Sequence, residues 1–417
     1  MTRSIERCRR KKKRRMKKDN NTFQNDNFLS FQNPLIVPVE LPEELIFSEI
    51  LTRLPVNSLI RFKSVSKTWN SMISTCYFIK SHINCTKSNP FVPTSSVFIK
   101  SDYCFYILNY AAYDRYPDNN HGDKGLIKVK GLKFYDNSVN TFLIGSCNGL
   151  VCFGRGNAFA GFDYYFRVYN PVMGQFLHVL DPLGNFQGKL IYGFGFVSCK
   201  DDYLLFVGGL QRRSYDNFVY VYSLRSNDWK KIGAFDEHEF SIFLGGIGVL
   251  VNETLHWDTS QVRISNAKCI CGFDLVEETF KDVRMPRMFL VDDHILDFKV
   301  CEMGGSLCVW AEDVYGGVEM WSLMQYGVWD SWTKLYKIDM IFELGNFYGC
   351  LENGKVLIQT DDGSLMLVDP NQSPPDFTSL VKDIGDIEIV SYIQSPVSPF
   401  LHSSVAETEG QVQASIE

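Results

Sequence analysis

The feature of this chain that most restricts its fold is a repeat. Four aromatic residues, Phe176, Trp229, Phe280 and Trp332, follow one another at intervals of 53, 51 and 52 residues. Each completes the same local pattern, read in "RVYNPVMGQFLHV", "YVYSLRSNDWKKI", "CGFDLVEETFKDV" and "EMWSLMQYGVWDSWTKLYKI": an alternating strand, a turn, then an aromatic opening another short strand. In the first three copies a second aromatic, Tyr169, Tyr222 or Phe273, lies seven positions earlier. A period near fifty residues is that of a propeller blade, a four-stranded sheet that buries its faces only against its neighbours. On that period residues 96–400 supply about six blades. The fold class expected is mainly β.

The chain of 417 residues, 45% of them hydrophobic, is long enough to bury a large core. Its longest uncharged apolar run, Ile242 to Val251, is ten residues, where a membrane-spanning helix needs about 20. No membrane partner is expected. Twelve cysteines are scattered from Cys8 to Cys350 with no C-x-x-C pair. That spread points to reduced thiols in an intracellular protein, with Cys269 and Cys271 buried on one face of a strand.

Charge is divided unevenly. Residues 1–18 hold eleven Lys and Arg against one Glu. Setting these aside from the totals of 42 basic and 48 acidic residues leaves 31 and 47, a net of −16 for the rest of the chain. The basic run cannot pack, and residues 1–37 are expected to form a disordered basic tail. Arg9, Arg10, Lys11, Lys12, Lys13, Arg14, Arg15, Lys17 and Lys18 read as a nuclear-import signal, giving an expected distribution between nucleus and cytoplasm. An acidic body repels phosphates, so no specific nucleic acid is expected. Residues 401–417 form a polar tail.

At Leu41 the composition changes to "LPEELIFSEILTRLPVNSLIRFKSVSKTWNSMIS". Ile46, Ile50 and Leu54 recur every four residues behind Pro42, Glu43 and Glu44, which suit a helix start. Pro55 breaks this helix and starts a second with Leu59 and Phe62; Val65, Trp69, Met72 and Ile73 mark a third. A unit this small cannot bury its apolar residues alone. Either a partner protein or the following domain must cover them.

This segment closely resembles an F-box. Leu41 to Leu45, Glu49-Ile50-Leu51, Arg53 to Val56, Ser58-Leu59, Arg61-Phe62-Lys63, Val65-Ser66-Lys67 and Trp69 fall where that family has them. The resemblance covers an F-box domain at 38–85. It implies a Skp-type adaptor as partner and, through it, a cullin. Carried over by position, Leu41, Pro42, Ile50, Leu51, Leu54, Pro55, Leu59 and Val65 are the adaptor-facing or groove-filling residues, while Trp69 pins the third helix.

The blocks "GSCNGLVCF", "VYNPVMGQF", "YGFGFVSCKDDY", "VYSLRSNDW", "GVLVNETLHW", "FDLVEETF", "GGSLCVW" and "YGVWDSWTKL" run in order from about 145 to 336. They resemble the F-box-associated, kelch-like domain of plant F-box proteins. The architecture implied is a kelch-like β-propeller at 96–400 preceded by a short three-helix F-box.

Two residues invite a catalytic reading. Cys147 in "GSCNG" has the Gly-x-Cys-x-Gly spacing of a nucleophile elbow, and His256 lies in "TLHWD". An elbow must lead into a helix, whereas "LVCFGRGN" follows, so Asn148-Gly149 reads better as a hairpin turn. No phosphate-binding glycine loop or metal-spaced histidine pair occurs, so neither cofactor nor metal is expected.

The leading expectation is a non-catalytic substrate receptor of an SCF ubiquitin ligase whose propeller binds an unidentified protein target. The alternatives are a propeller-fold hydrolase using Cys147 or His256, and an F-box scaffold without a ligase role. The loops "QRRSYDN" (211–217) and "EDVYGG" (312–317) are candidate target contacts.

Overall fold

The computed structural model describes residues 41–88, 96–101, 104–110, 126–129, 141–155, 165–180, 190–210, 217–233, 246–258, 270–286, 295–313, 315, 317–339, 344–351, 353–372, 374–381 and 387–400. The basic tail at 1–37, with its import-signal residues, and the tail at 401–417 lie outside them.

Helix α1 is a succession of short pieces, Glu43–Leu45, Ile46–Ile50 and Leu51–Arg53, with a wide turn in which Leu51 N–H reaches the Ile46 carbonyl. Pro55 ends it, as the missing N–H requires, and α2 (Val56–Phe62) follows. Helix α3 (Lys67–Ile73) starts at Ser66, whose side-chain oxygen accepts from Trp69 N at 3.1 Å and so satisfies one orphan donor of the first turn. Phe47, Leu51, Leu59, Ile73 and Phe78 form the core of the helical unit. Trp69 packs edge-on to Phe47 at 5.5 Å and Phe62 at 5.7 Å, tying α3 to α1 and α2.

A fourth helix, α4 (Cys76–Ser88), follows the three expected. It is two-faced: Phe78 and His82 turn toward α1, with His82 Nε2 at 2.9 Å from the Leu54 carbonyl, while Ile79 and Ile83 enter the core of the β-domain. Each pair has i, i+4 spacing, so two stripes share one helix.

The rest is a ring of six blades. Blade 2 contains β4 (Thr141–Cys147), β5 (Leu150–Arg155), β6 (Tyr165–Asn170) and β7 (Gln175–Leu180). Blade 3 contains β8 (Leu190–Val197), β9 (Asp202–Leu210), β10 (Asn217–Ser223) and β11 (Asp228–Gly233), with the two-residue β12 (Gly246–Ile247) parallel to β8. Blade 4 contains β13 (Val249–Val251), β14 (Thr254–Asp258), β15 (Ile270–Asp274) and β16 (Thr279–Val283). Blade 5 contains β17 (Ile295–Met303), β18 (Ser306–Asp313), β19 (Gly317–Leu323) and β20 (Trp332–Asp339). Blade 6 contains β21 (Leu344–Cys350), β22 (Val356–Thr360), β23 (Leu365–Asp369) and β24 (Asp376–Val381).

Blade 1 draws on both ends of the domain. Strands β1 (Ser96–Lys100), β2 (Phe105–Asn109) and β3 (Leu126–Lys128) are completed on the inside by β25 (Glu388–Ser391), paired antiparallel to β1. The innermost strands then run β25, β4, β8, β13, β17, β21 and back to β25, which closes the ring.

The repeat now has a physical cause. The spaced aromatics are cross-strand partners: Tyr169 opposite Phe176, Tyr222 opposite Trp229, Phe273 opposite Phe280. The turn between each pair ends on a left-handed residue, Gly174, Asn227 or Glu278, so the spacing stays at seven. In blade 5 a short 3₁₀ turn, Trp329–Ser331, lengthens the connection, and Trp332 faces Leu323. Blade 6 continues the pattern with Phe377 opposite Val368.

Six apolar clusters fill the six junctions between neighbouring blades. Because both faces of a blade are covered, inner strands read as unbroken apolar runs. In β9, Leu205 and Val207 pack toward blade 2 while Leu204 and Phe206 pack toward blade 4. Each such buried side chain contributes roughly 2 kcal/mol. Gly193 on β8 is needed for the close approach: a Cβ there would stand 2.3 Å from Leu255 Cδ1 of the next blade.

Candidate interaction surfaces

In a four-stranded blade the first and third turns share one face of the ring. On this face lie the β4–β5, β6–β7, β8–β9 and β10–β11 turns, and here α4 docks. Ile79 and Ile83 join Ile144, Leu150 and Phe194 in the junction of blades 2 and 3, together with Val397 from the segment after β25. Around this apolar seat, Lys80 Nζ lies 2.7 Å from Asp201 Oδ1, and Arg225 lies 3.0 Å from Asp201 Oδ2. Burial works against the Asp201 carboxylate, but its hydrogen bond and charge interaction with Lys80, aided by Cys76 and Arg225, hold its pKa below the usual value. Lys80 also sits 5.6 Å over the Phe196 ring. The helical unit is therefore seated on the propeller by packing and by a charge cluster.

The adaptor-facing residues carried over from the F-box resemblance separate by burial. Leu41 (56%), Ile50 (44%) and Val65 (62%) are exposed apolar side chains, and Pro42 and Pro55 are exposed as well. Leu54 is half-buried, with its side chain against the helical core. Leu51 and Leu59 are interior, at 2% and 0%, and hold the helices together. Leu45, not singled out from the sequence, is 48% exposed. Its signal was available: Leu45 precedes Glu49 and Arg53 at four-residue spacing, which puts it on the charged face of a helix whose other face holds Phe47 and Leu51.

Cys147 does not sit on an elbow. Asn148 (φ 49°) and Gly149 (φ 88°) make a hairpin turn from β4 directly into β5, with no helix after it. Gly149 is required twice over: besides its φ, a Cβ there would lie 2.4 Å from Ser395 Cβ, because residues 393–397 cross this turn. His256 is fully buried between the Val249 carbonyl at 3.2 Å and Tyr326 Oη at 2.9 Å. Burial pushes its pKa down to about 4, so it is a neutral core residue at pH 7. Among the described residues no group of three or more His, Cys, Asp or Glu could hold a metal ion, and no disulfide joins the described cysteines.

The opposite face carries the β22–β23 turn of blade 6, residues 361–364. Of the two loops singled out as target contacts, 211–216 lie outside the described residues. In "EDVYGG", Asp313 Oδ1 accepts from Tyr315 N at 2.9 Å and Gly317 N at 2.8 Å, which fixes the turn and leaves Tyr315 80% exposed.

Comparison with known proteins agrees with this geometry. Residues 100–360 match the F-box associated beta propeller domain, and residues 39–81 match the F-box domain. The F-box/kelch-repeat protein At3g23880 of Arabidopsis thaliana is 27% identical over 313 residues, covering 72% of this chain and 80% of that protein. The F-box protein CPR1 of the same plant is 26% identical over 318 residues, covering 70% and 72%. Two independent sets of features, the seated helical unit and the six closed blades, thus coincide with two matched domains in the same order. The chain belongs to the family of F-box proteins with an F-box-associated β-propeller.

Proposed function

We propose that this protein is the substrate-recognition subunit of an SCF-type ubiquitin ligase. The observation that carries this reading is the division of apolar residues in the helical unit. Leu51 and Leu59 are spent on the core, while Leu45, Ile50, Pro55 and Val65 stand exposed, and Leu41 and Pro42 are exposed too. Exposed large apolar residues on a small unit are suited to a protein partner. A Skp-type adaptor is the partner that the F-box implies, with a cullin bound through it.

The chain's contribution is positional and non-catalytic. The F-box holds the adaptor and the propeller holds a protein target, which raises the target's effective concentration at the ubiquitin-loaded enzyme. The basic run from Arg9 to Lys18 is proposed to bring part of the protein into the nucleus. Loss of nuclear signal from a tagged protein lacking residues 7–18 is the expected result, and unchanged distribution refutes it.

The test of the main reading is adaptor capture by the full-length protein beside Ile50→Asp and Val65→Asp. Both sites are exposed, so melting should be unchanged while adaptor affinity falls by roughly 2 kcal/mol or more per site if these are hot spots. Capture indifferent to both substitutions refutes the assignment.

A further inference from the structure

Among the described residues no strand pairs with the outer strand of a blade on its far side, and five of the six outer strands are blunted by charge. Strand β3 carries Lys128, β11 carries Lys230 and Lys231, β16 carries Lys281, β20 carries Lys334 and Lys337, and β24 carries Asp376. Such charges on an edge discourage pairing with another chain. Strand β7, "QFLHVL", carries none. Its outward residues are instead Phe176 (42% exposed), His178 and Leu180 (75% exposed).

The backbone of this strand is oriented for pairing. Leu180 lends its carbonyl not to β6 but to Trp229 Nε1 of the next blade, at 2.8 Å. In an antiparallel strand the N–H and C=O of one residue point the same way, and alternate residues repeat that direction. His178 and Phe176 therefore turn their backbone groups away from β6, toward the open side.

The flanking face is positive. Arg155 and Arg167 stack on the two sides of one ladder, at 5.3 Å and 5.4 Å from the Tyr165 ring, and Arg167 lies 5.5 Å from the Phe176 ring. Arg167 Nε donates to His178 Nδ1 at 3.3 Å. Burial first, and then the Arg167 charge, keep the His178 pKa below its usual value. The Arg167 guanidinium thus lies against the side chains of the β7 edge, with Arg155 two strands further in, on an otherwise acidic body. At physiological salt the Debye length is about 8 Å, so the distant carboxylates are screened while these contacts are not.

We propose that the β7 edge of blade 2 is a docking site for an extended acidic segment of a protein partner, added as a fifth strand. Edge hydrogen bonds from Phe176 and His178 supply affinity, Leu180 and Phe176 supply apolar contact, and Arg167, which reaches Phe176 and His178, selects for carboxylates. This deepens the receptor reading, because the segment would belong to the target. Its test omits the adaptor, so failure here leaves adaptor capture standing.

The experiment is fluorescence anisotropy of a labelled peptide of alternating Glu and Val with the full-length protein. Its Lys–Val counterpart and an acidic version N-methylated at alternate residues are measured in parallel. The expected result is saturable binding of the acidic peptide alone, weakened more than roughly tenfold by Arg167→Glu. Because Arg167 is partly buried, Leu180→Lys serves as the second variant at a site where folding is unaffected, and it too should weaken binding. Absence of binding, equal binding of the basic peptide, or retention by the N-methylated peptide overturns the proposal. So does binding that neither folded variant changes.

Discussion

Asn170 holds Ser395 across the closure of the ring: its Nδ2 donates to the Ser395 carbonyl at 2.9 Å and to the Val397 carbonyl at 2.6 Å. Its Oδ1 accepts from Val172 N and Met173 N at 2.9 Å and 3.2 Å, so one fully buried amide fixes both the β6–β7 turn and the segment after the last strand. Asn170→Ala leaves several buried groups unpaired and should destabilise by roughly 3 kcal/mol. Asn170→Asp should cost more, since a carboxylate would face two carbonyls. Thermal melting measures both, and a change below the scatter of surface mutants would refute the role.

Gly149→Ala tests the crossing of that segment over the β4–β5 turn. Positive φ alone costs an alanine about 1 kcal/mol. The collision with Ser395 adds a displacement of residues 393–397, so the expected loss is about 2–3 kcal/mol. Ser395→Gly in the same chain removes the opposing Cβ and should recover part of it, which a double-mutant cycle reads directly.

His256 makes the fold acid-sensitive. Its folded pKa of about 4 lies below its ordinary value of 6.5, so the unfolded chain binds the proton more readily. The stability tied to the neutral imidazole is complete above about pH 6.5 and is lost as pH falls toward 4, by about 3 kcal/mol in all. Denaturant midpoints should therefore fall over that range in the native protein. His256→Gln, uncharged and able to keep one hydrogen bond, should flatten this part of the profile while lowering stability at pH 7.

At the seat of the helical unit, packing outweighs charge. Ile83 is 5% exposed, and Ile83→Ala should cost about 2–4 kcal/mol through the cavity it leaves. The Lys80–Asp201 pair is 43% and 26% exposed, and such pairs contribute below about 1 kcal/mol. Asp201→Asn, which removes the charge and suits the left-handed backbone at this position (φ 50°), should thus barely alter melting, whereas Ile83→Ala should speed amide exchange along α4. Equal effects of the two would reverse the ranking.

How much of this was legible follows from where the structure is regular. The seven-residue aromatic spacing was readable because three blades share one turn geometry ending on Gly174, Asn227 or Glu278. Phe377 falls outside the period because it follows Trp332 by only 45 residues and lies opposite Val368 rather than an aromatic. Blade 1 has no period to find, since its strands come from opposite ends of the domain. Helix α4 was hidden by its success in serving two cores: Phe78 with His82 and Ile79 with Ile83 fill adjacent faces, so no single stripe stands out. Burial within the helical unit was likewise invisible, because Ile50 and Leu51 are neighbours of one type that point in opposite directions. The charge-free edge at β7 could have been read from composition alone, but only once the blades told which strands are outermost.

Because β25 completes blade 1, synthesis and function are ordered in time. The F-box leaves the ribosome before the propeller, whereas the partner of Val97 and Ile99 on β1, the segment Glu388–Ser391, emerges only after the other strands of the ring. A messenger with a stop codon between these points yields a chain whose F-box helices are intact in sequence but whose ring stays open, with β1 lacking its inner neighbour. On the receptor function proposed above, such an allele would occupy the adaptor without delivering a target, so its inheritance should be dominant, while an early frameshift before Leu41 should be recessive.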